Sequence, residues 1–271
     1  MKIALTTICP DARQRAFLGI VRPTWEAYAK RHNLPIIVVE NPPHPENVFW
    51  GKYFALTLPE FAKYDAVIAL DNDILVNPHS PLVTEDWDGS KIGIADERQQ
   101  FDWDDAFVAQ YYSHYEHEIP ARVTHVGILN TGVLLYTRAH LPFFEAVHAR
   151  WVEWRDRATA ATRETDSFKY ANDQPHVSLA LQVADRAKIL PPAYNRLWWS
   201  WYRQRGTLPW RAFQGYAKAS SLFEEFAPRA LASAFARPGA RAIERGLSEC
   251  HFLHVAGSKS PIWLFAHRSS A

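Results

Sequence analysis

The stretch from Val67 to Val76 constrains the fold of this chain more than any other. It consists of an apolar run, then Asp71-Asn72-Asp73, then a second apolar run. The first run is typical of a buried strand. Alternate residues of extended backbone project to the same side, so Asp71 and Asp73 are expected to leave the strand end together, with Asn72 turned away.

Two neighbouring carboxylates repel each other unless a cation lies between them, and hard oxygen ligands suit Mg²⁺ or Mn²⁺. Ligands of open α/β sheets bind beyond the carboxyl ends of the strands. The stretch therefore predicts a divalent-metal site that bridges to a phosphate-bearing ligand. The alternative is that Asp71 and Asp73 are turn or capping residues, as most isolated Asp-x-Asp pairs are.

The elements before this stretch alternate between strand and helix. We predict strands over 2–8 and 35–40, a helix over 12–32 that is kinked or divided at Pro23, and a helix over 49–61. This order predicts an α/β fold with a mostly parallel sheet flanked by helices. The first strand is not followed by a Gly-x-Gly-x-x-Gly turn, which argues against a dinucleotide-binding domain. Thr6 and Thr7 occupy that position and are candidate nucleotide contacts or capping residues.

The remaining elements are shorter, and no clear linker separates them. We predict strands over 92–95, 127–137, 188–190 and 251–255, and helices within 101–115 and over 141–157, 172–184 and 222–245, the last broken near Pro238-Gly239. Residues 155–170 are a candidate loop that closes over a ligand. We therefore expect a single domain over 1–271, in which 196–250 form a helical, aromatic-rich C-terminal elaboration that either contains the acceptor site or faces a membrane.

Charge is distributed unevenly along the 271 residues. Residues 1–185 carry 17 Lys and Arg against 25 Asp and Glu, whereas residues 186–271 carry 13 against 4. An acidic metal-binding part joined to a basic part suits an anionic ligand or an anionic surface, although a solvated basic face is the simpler alternative.

Compartment is constrained by what the sequence lacks. Cys9 and Cys250 form neither a disulfide framework nor a metal cluster, which fits a reducing compartment. No signal-peptide pattern follows Met1-Lys2, and no apolar run approaches the roughly 20 residues of a membrane-spanning helix. We expect a cytoplasmic protein, peripheral to the membrane at most, without a nucleic-acid partner.

Three further segments carry groups suited to the same chemistry. Asn130-Thr131-Gly132 place hydrogen-bonding groups at the start of a strand, and Asp173-Gln174 begin a helix. Residues 254–259 supply His254 as a metal ligand, Gly257 for close approach and Lys259 as a cation for phosphate. The alternatives are a structural histidine at 254, an N-cap at Asp173 and a turn at Asn130.

Together these segments resemble the nucleotide-sugar glycosyltransferases of the GT-A fold, and most of all glycosyltransferase family 8, which includes glycogenin-like and bacterial galactosyltransferase-like enzymes. The resemblance implies a single Rossmann-like GT-A domain. It also implies that Asp71, Asp73 and His254 bind Mn²⁺ or Mg²⁺, and that Asp173 and Gln174 lie at the reacting carbon. From the residues and the resemblance together, the predicted donor-binding residues are Thr6, Thr7, Lys52, Asp71, Asn72, Asn130, Thr131, Gly132, Gly257 and Lys259. Lys259 stands one residue earlier than in the family motif.

The family likeness implies transfer of a sugar, with retention, from a UDP-linked donor to a hydroxyl of a glycan, a lipid-linked acceptor or another acceptor. Two other classes remain open. Asp-x-Asp after a strand also begins haloacid-dehalogenase-type phosphatases, although there it follows the first strand and a later Asp pair is needed, for which only Asp104-Asp105 is available. A non-catalytic sugar- or lipid-binding protein on a GT-A scaffold is the third.

Residues 196–216 interleave arginines with many aromatic residues. About half of the rings are expected in the core, and the others to stack on sugars or to contact a membrane surface.

Overall fold

The computed structural model describes residues 1–44, 47–101, 103–112, 127–161, 173–206, 209, 211–213, 215–216, 219, 229–255 and 260–266. The chain divides into two compact units that are interleaved along the sequence. The first comprises 1–10, 34–70 and 84–192, and the second comprises 11–33, 71–83 and 193–271. The single domain expected over 1–271 stays a prediction.

The described strands are β1 (Ile3–Ile8), β2 (Ile36–Val39), β3 (Ala66–Leu70), β4 (Ile74–Val76), β5 (Ile92–Asp96), β6 (Leu129–Thr137), β7 (Ala187–Leu190), β8 (Arg196–Leu197) and β9 (Phe252–His254). The described α-helices are α1 (Ala12–His32), α2 (Val48–Gly51), α3 (Asp105–Tyr112), α4 (Leu141–Ala161), α5 (Gln174–Val183), α6 (Trp198–Arg205), α7 (Arg229–Ser248) and α8 (Ser260–Ala266). Among the described residues, no helix is both long enough and apolar enough to cross a membrane.

A six-stranded sheet forms the centre of the first unit, in the order β2-β1-β3-β6-β5-β7. All neighbouring strands are parallel except that β6 runs antiparallel to β3 and β5. The predicted α/β fold with a mostly parallel sheet is therefore confirmed. Because β6 is reversed, its first residues lie beside the carboxyl ends of its neighbours, with Leu129 opposite Asp96 and Val133 opposite Leu70.

Apolar residues of this sheet and of the helices around it form the core of the first unit. Every residue of β3 is buried, as its unbroken apolar sequence predicts for a central strand. Large aromatic side chains fill the space between the sheet, the segment 48–61 and helix α4, including Trp50, Phe61, Phe144 and Trp151.

The second unit contains a small sheet in the order β4-β9-β8. Strand β4 runs antiparallel to β9, with Ile74 opposite His254, and β8 runs parallel to β9, with Leu197 opposite His254. Helix α1 holds β4 from one side, since Trp25 donates through Nε1 to the Ile74 carbonyl at 2.7 Å. The backbone N–H of Val76 donates to the Thr24 hydroxyl at 3.1 Å.

Two local predictions were wrong, and of the two alternatives at Pro23 the division of the helix is excluded. Helix α1 continues through Pro23 without division; the carbonyl that the proline leaves without a backbone donor belongs to Gly19, which is exposed. Helix α7 likewise continues through Pro238. The segment 49–61 is not one helix: α2 ends at Gly51 and two 3₁₀ segments follow, Lys52–Thr57 and Pro59–Phe61. Pro59 explains the interruption, since the residue before a proline prefers extended backbone.

Aromatic residues of α6 are mostly core. Trp198, Trp201 and Tyr202 are at most 4% exposed, and Phe213 is 2% exposed. The rings of Trp198 and Trp201 stack at 5.1 Å, and those of Tyr202 and Phe213 lie 4.2 Å apart. Trp210 lies outside the described residues.

Candidate active site

Asp71, Asp73 and His254 form a group that fits a metal ion. Each offers one ligand atom, and these atoms all lie within 4.8 Å of one another. The pairing of β4 with β9 produces this group, because it places His254 opposite Ile74, directly after Asp73. The N–H of Val255 also donates to the Asp73 carbonyl at 3.0 Å. His254 Nε2 then lies 3.3 Å from Asp73 Oδ1.

A buried asparagine orients the histidine of this group. Nδ1 of His254 lies 2.9 Å from Oδ1 of Asn195, and both side chains are almost inaccessible to solvent. An amide oxygen can only accept, so Nδ1 carries an N–H, and in the neutral imidazole the lone pair of Nε2 then faces Asp73. This is the tautomer that binds a metal through Nε2.

The donor set suits a divalent cation. Two carboxylates and one imidazole offer hard oxygen ligands and one nitrogen, a combination compatible with Mn²⁺ or Mg²⁺. Asn72 does not join them: its Nδ2 donates to Gln14 Oε1 at 3.2 Å, in agreement with the prediction that it turns away.

A second polar cluster lies in the first unit, around Asp173. This residue immediately precedes α5 and is 2% exposed. Its Oδ2 accepts from the Tyr53 hydroxyl and, at 3.2 Å, from the Thr131 hydroxyl. The Lys52 ammonium lies 3.4 Å from the same oxygen and donates to Thr131 Oγ1 at 3.3 Å. Three donors from two segments therefore converge on one carboxylate oxygen.

The neighbouring residues extend this cluster along the start of β6. Asn130 Nδ2 and Gln174 Nε2 both donate to Oε1 of Glu97, the latter at 3.2 Å. Gln174 also accepts from the Thr131 N–H at 3.5 Å. The Asn130 side chain accepts from the Gly132 N–H at 2.8 Å. Asn130, Thr131, Asp173 and Gln174 are thus brought together, and their roles at a donor sugar stay a prediction.

Electrostatics in this cluster depend on one cation and two buried carboxylates. Lys52 and Asp173 are both almost fully buried. Removing each charge from water costs free energy, and the attraction between the two opposite charges offsets part of that cost. Burial lowers the pKa of His176 to about 4, an effect that Asp173 partly opposes. His176 is therefore neutral at pH 7, which also suits its position in the first turn of α5, at the positive end of the helix dipole.

Thr6 and Thr7 are placed less favourably for ligand binding. Both are at most 1% exposed in β1, and the Thr6 hydroxyl donates to the Ile37 carbonyl at 2.9 Å. Their nucleotide contacts stay a prediction. Gly257 and Lys259 lie outside the described residues, as do residues 162–170 of the predicted closing loop. The earlier part of that loop belongs to α4, which continues to Ala161.

Three residues of these groups were missed by the sequence analysis. Tyr53 adjoins Lys52, but its contact with Asp173 joins residues 120 positions apart. Glu97 directly follows β5, and an acidic residue at a strand end was the available signal. Asn195 carries no local signal, since it lies 59 positions from His254.

No protein-family model matches this sequence, and no curated protein matches it. Among solved structures, the chain is similar to a glycosyltransferase involved in glycosylation of the major capsid of PBCV-1, with 11% identity, a TM-score of 0.50 and coverage of 98% of each chain. A second match is mouse xyloside xylosyltransferase 1, with 15% identity, a TM-score of 0.44 and coverage of 76% of this chain and 91% of that chain. A third is the glycosyltransferase GlyE of Streptococcus pneumoniae TIGR4, with 12% identity, a TM-score of 0.46 and coverage of 98% of this chain and 60% of that chain. The first of these likenesses, together with the mixed sheet, shows that the chain has the GT-A glycosyltransferase fold.

Proposed function

We propose that this chain is a metal-dependent glycosyltransferase that moves a sugar from a nucleoside-diphosphate donor to an acceptor hydroxyl. The observation that carries the proposal is the Asp71, Asp73 and His254 group, with His254 oriented by Asn195, on a GT-A fold. The donor nucleotide is UDP and the metal is Mn²⁺ or Mg²⁺ in this proposal. The family 8 assignment and retention of configuration rest on the resemblance of the sequence motifs.

Asp71, Asp73 and His254 would hold the cation, and Lys259 would bind the diphosphate. When bound, a divalent cation supplies Lewis-acid stabilisation of the negative charge on the leaving diphosphate. The protein contributes a ligand set that is already in place: Asn195 holds the imidazole, and the β4–β9 pairing fixes the spacing of Asp73 and His254.

Asp173 and Gln174 would act at the donor sugar. The three donors to Asp173 engage only Oδ2. We therefore assign Oδ1 as the atom that faces the sugar, whether as a nucleophile, as an electrostatic stabiliser of an oxocarbenium-like state or as a positioning group. The other proposed sugar contacts are Lys52, Asn130, Thr131 and Gly132. The proposed nucleotide contacts are Thr6, Thr7 and Asn72. Gly257 would allow the diphosphate to approach the backbone closely.

The proposed acceptor is a glycan, a lipid-linked compound or another hydroxyl compound. Membrane contact through 196–216 is also part of the proposal. The burial of Trp198, Trp201 and Tyr202 means that any such contact relies on the arginines of this segment rather than on those rings.

No observation favours the phosphatase alternative. Asp105 begins helix α3 and is exposed, with Arg98 at 2.5 Å, so the pair Asp104-Asp105 does not lie at a strand end.

The proposal is tested by calorimetric titration of UDP and GDP into the purified protein, with and without Mn²⁺. We expect Mn²⁺-dependent binding of UDP that is lost in Asp71→Asn/Asp73→Asn. Asp86→Asn is the matched control, because Asp86 is exposed and does not belong to the group Asp71, Asp73 and His254, called here the metal group. Binding should be followed by transfer or slow hydrolysis with UDP-sugars.

Each other outcome has a defined meaning. Failure of a folded protein to bind either nucleotide would overturn the UDP-donor proposal. Binding without transfer or hydrolysis would favour the non-catalytic alternative. Binding that survives in the double variant would show that the metal group is not the donor site.

A further inference from the structure

A basic pocket lies between helices α6 and α7 of the second unit and includes none of the residues assigned to the donor. Its volume is about 220 Å³. The lining residues are Trp201, Tyr202, Arg205 and Gly206 from the α6 side and Pro238, Arg241, Ala242 and Arg245 from α7.

Helical spacing explains this lining. The α7 residues stand three, four and seven positions apart and so share one face of the helix. Opposite them, α6 ends at Arg205, where the Gly206 N–H donates to the Tyr202 carbonyl at 2.7 Å. A Cβ atom at Gly206 would meet that carbonyl at 2.5 Å, so the close backbone approach at this end of the pocket requires glycine.

Positive charge exceeds negative charge around the pocket. Of its three arginines, Arg205 and Arg245 share the carboxylate of Glu249 at 3.6 and 3.1 Å. The same carboxylate accepts from Trp201 Nε1 at 2.8 Å. Within the part of the chain that the structure describes, Arg241 has no ion pair. The lining thus carries three guanidinium groups, and the one carboxylate that pairs with two of them is already engaged.

The aromatic rings do not offer a stacking surface. Trp201 and Tyr202 are only 4% and 3% exposed, so they form the floor of the pocket and not its binding face. The pocket is also smaller than the roughly 300–1,000 Å³ of sites that enclose a whole drug-sized ligand. Its chemistry therefore favours a small anionic group over a stacked sugar ring.

We propose that this pocket binds a phosphate group carried by the acceptor substrate. The planar fork of arginine matches two phosphate oxygens at once, and several arginines tolerate one another best with an anion between them. The pocket is linked to the metal group through the small sheet: α6 begins directly after Leu197, which pairs with His254, and α7 leads into β9. The binding of phosphate stands on the pocket alone, and the acceptor role rests on the proposed function.

The site is tested by calorimetric titration of phenyl phosphate, with phenol as the uncharged control. The titration contains EDTA and no nucleotide, so it does not depend on the proposed metal-dependent UDP site. Failure of phosphate binding is therefore distinguishable from failure of UDP binding. We expect Arg241→Gln to weaken phenyl phosphate binding roughly tenfold or more, as loss of a charge-assisted hydrogen bond predicts. Arg237→Gln is the matched control, because Arg237 is an exposed arginine of the same helix outside the pocket.

Equal weakening of phenyl phosphate binding in both variants would mean that only the overall positive charge matters, and it would overturn the proposal. Absence of phenyl phosphate binding to the folded wild type would also overturn it. A second assay identifies the source of the phosphate. Flotation with phosphatidylcholine vesicles, with and without phosphatidic acid, should show Arg241-dependent binding if the group belongs to a lipid. If phenyl phosphate binds but the vesicles do not, the phosphate belongs to a soluble acceptor.

Discussion

Replacing Asn195 should weaken metal binding without removing any metal ligand. In the folded chain, its amide oxygen accepts the Nδ1–H of His254 at 2.9 Å, and Asn195 is fully buried. Asn195→Leu keeps the approximate size of the side chain but removes the acceptor. The neutral imidazole is then free to carry its proton on Nε2, which already lies 3.3 Å from Asp73 Oδ1 and would donate to it. The lone pair intended for the metal would no longer be available.

The size of the effect on metal affinity and on stability follows from the loss of the hydrogen bond to His254. Loss of a hydrogen-bond partner that orients a metal-binding histidine typically lowers metal affinity about 10–100-fold. If the imidazole instead keeps its proton on Nδ1, a buried donor without a partner costs about 1–3 kcal/mol of stability in the metal-free protein. Asn195→Asp retains an acceptor at the same place and should therefore retain most of the affinity for Mn²⁺.

The assay is titration of Mn²⁺ followed by the electron paramagnetic resonance signal of the free ion, which requires no turnover. Urea unfolding in EDTA measures the stability of the same variants. The expected order of Mn²⁺ affinity is wild type and Asn195→Asp well above Asn195→Leu. Unchanged Mn²⁺ affinity in a folded Asn195→Leu protein would show that Asn195 does not orient the metal-binding histidine, and so would an equal loss of affinity in both variants.

Tyr53→Phe should lower the free energy of unfolding in urea by about 1.5–3 kcal/mol, because the buried Asp173 loses one of its donors; an unchanged midpoint would contradict this. Burial lowers the pKa of His176 from its ordinary value of 6.5 to about 4 in the folded protein. The unfolded chain therefore takes up this proton at a higher pH than the folded protein does. The free energy of unfolding should decrease by up to about 3 kcal/mol as the pH falls from 6.5 to 4. His176→Gln should remove that part of the pH dependence, whereas the exposed His79→Gln should not. Gly19→Ala should raise the free energy of unfolding by about 0.5–1 kcal/mol, because Gly19 lies inside α1 and the new Cβ atom would meet nothing within 4 Å. Gly51→Ala should lower it by about 1–3 kcal/mol, because its Cβ would lie 2.6 Å from Cβ of Pro42; thermal unfolding distinguishes the two signs.

The sequence predicted the metal group well because two of its members are local. Asp71 and Asp73 follow a strand whose unbroken apolar composition marks it as central, and strand geometry alone places them together. His254 is distant in sequence: the segment 254–259 offered it as a metal ligand, but only the family resemblance assigned it to the same site as the two carboxylates. The β4–β9 register that delivers it beside Asp73 depends on which strands pair, and local pattern does not specify such a choice.

Errors in the sequence analysis occurred where tertiary packing overrode local preference. Pro23 argued for a kink or a division of α1 and Pro238 for a break in α7, but both helices continue through them without division. At Gly239, next to Pro238, a Cβ atom would lie 2.6 Å from Cδ1 of Leu264, so α8 packs closely against α7 at this point. The local sequence around Pro238 does not reveal this contact with α8. In the segment 49–61, Pro59 had the local effect that propensity predicts, and the sequence analysis overlooked it.

At Asp173 the structure argues against one interpretation that the sequence left open, that of a helix cap. A residue needed only to begin α5 would turn its carboxylate toward the N–H groups of the first turn, yet Asp173 makes no such capping bond. Its carboxylate contacts Tyr53, Thr131 and Lys52 instead. Burying a charge costs several kcal/mol before partners compensate it, and an apolar residue would avoid that cost. Helix capping therefore does not account for this carboxylate, and its role at the donor sugar stays a prediction.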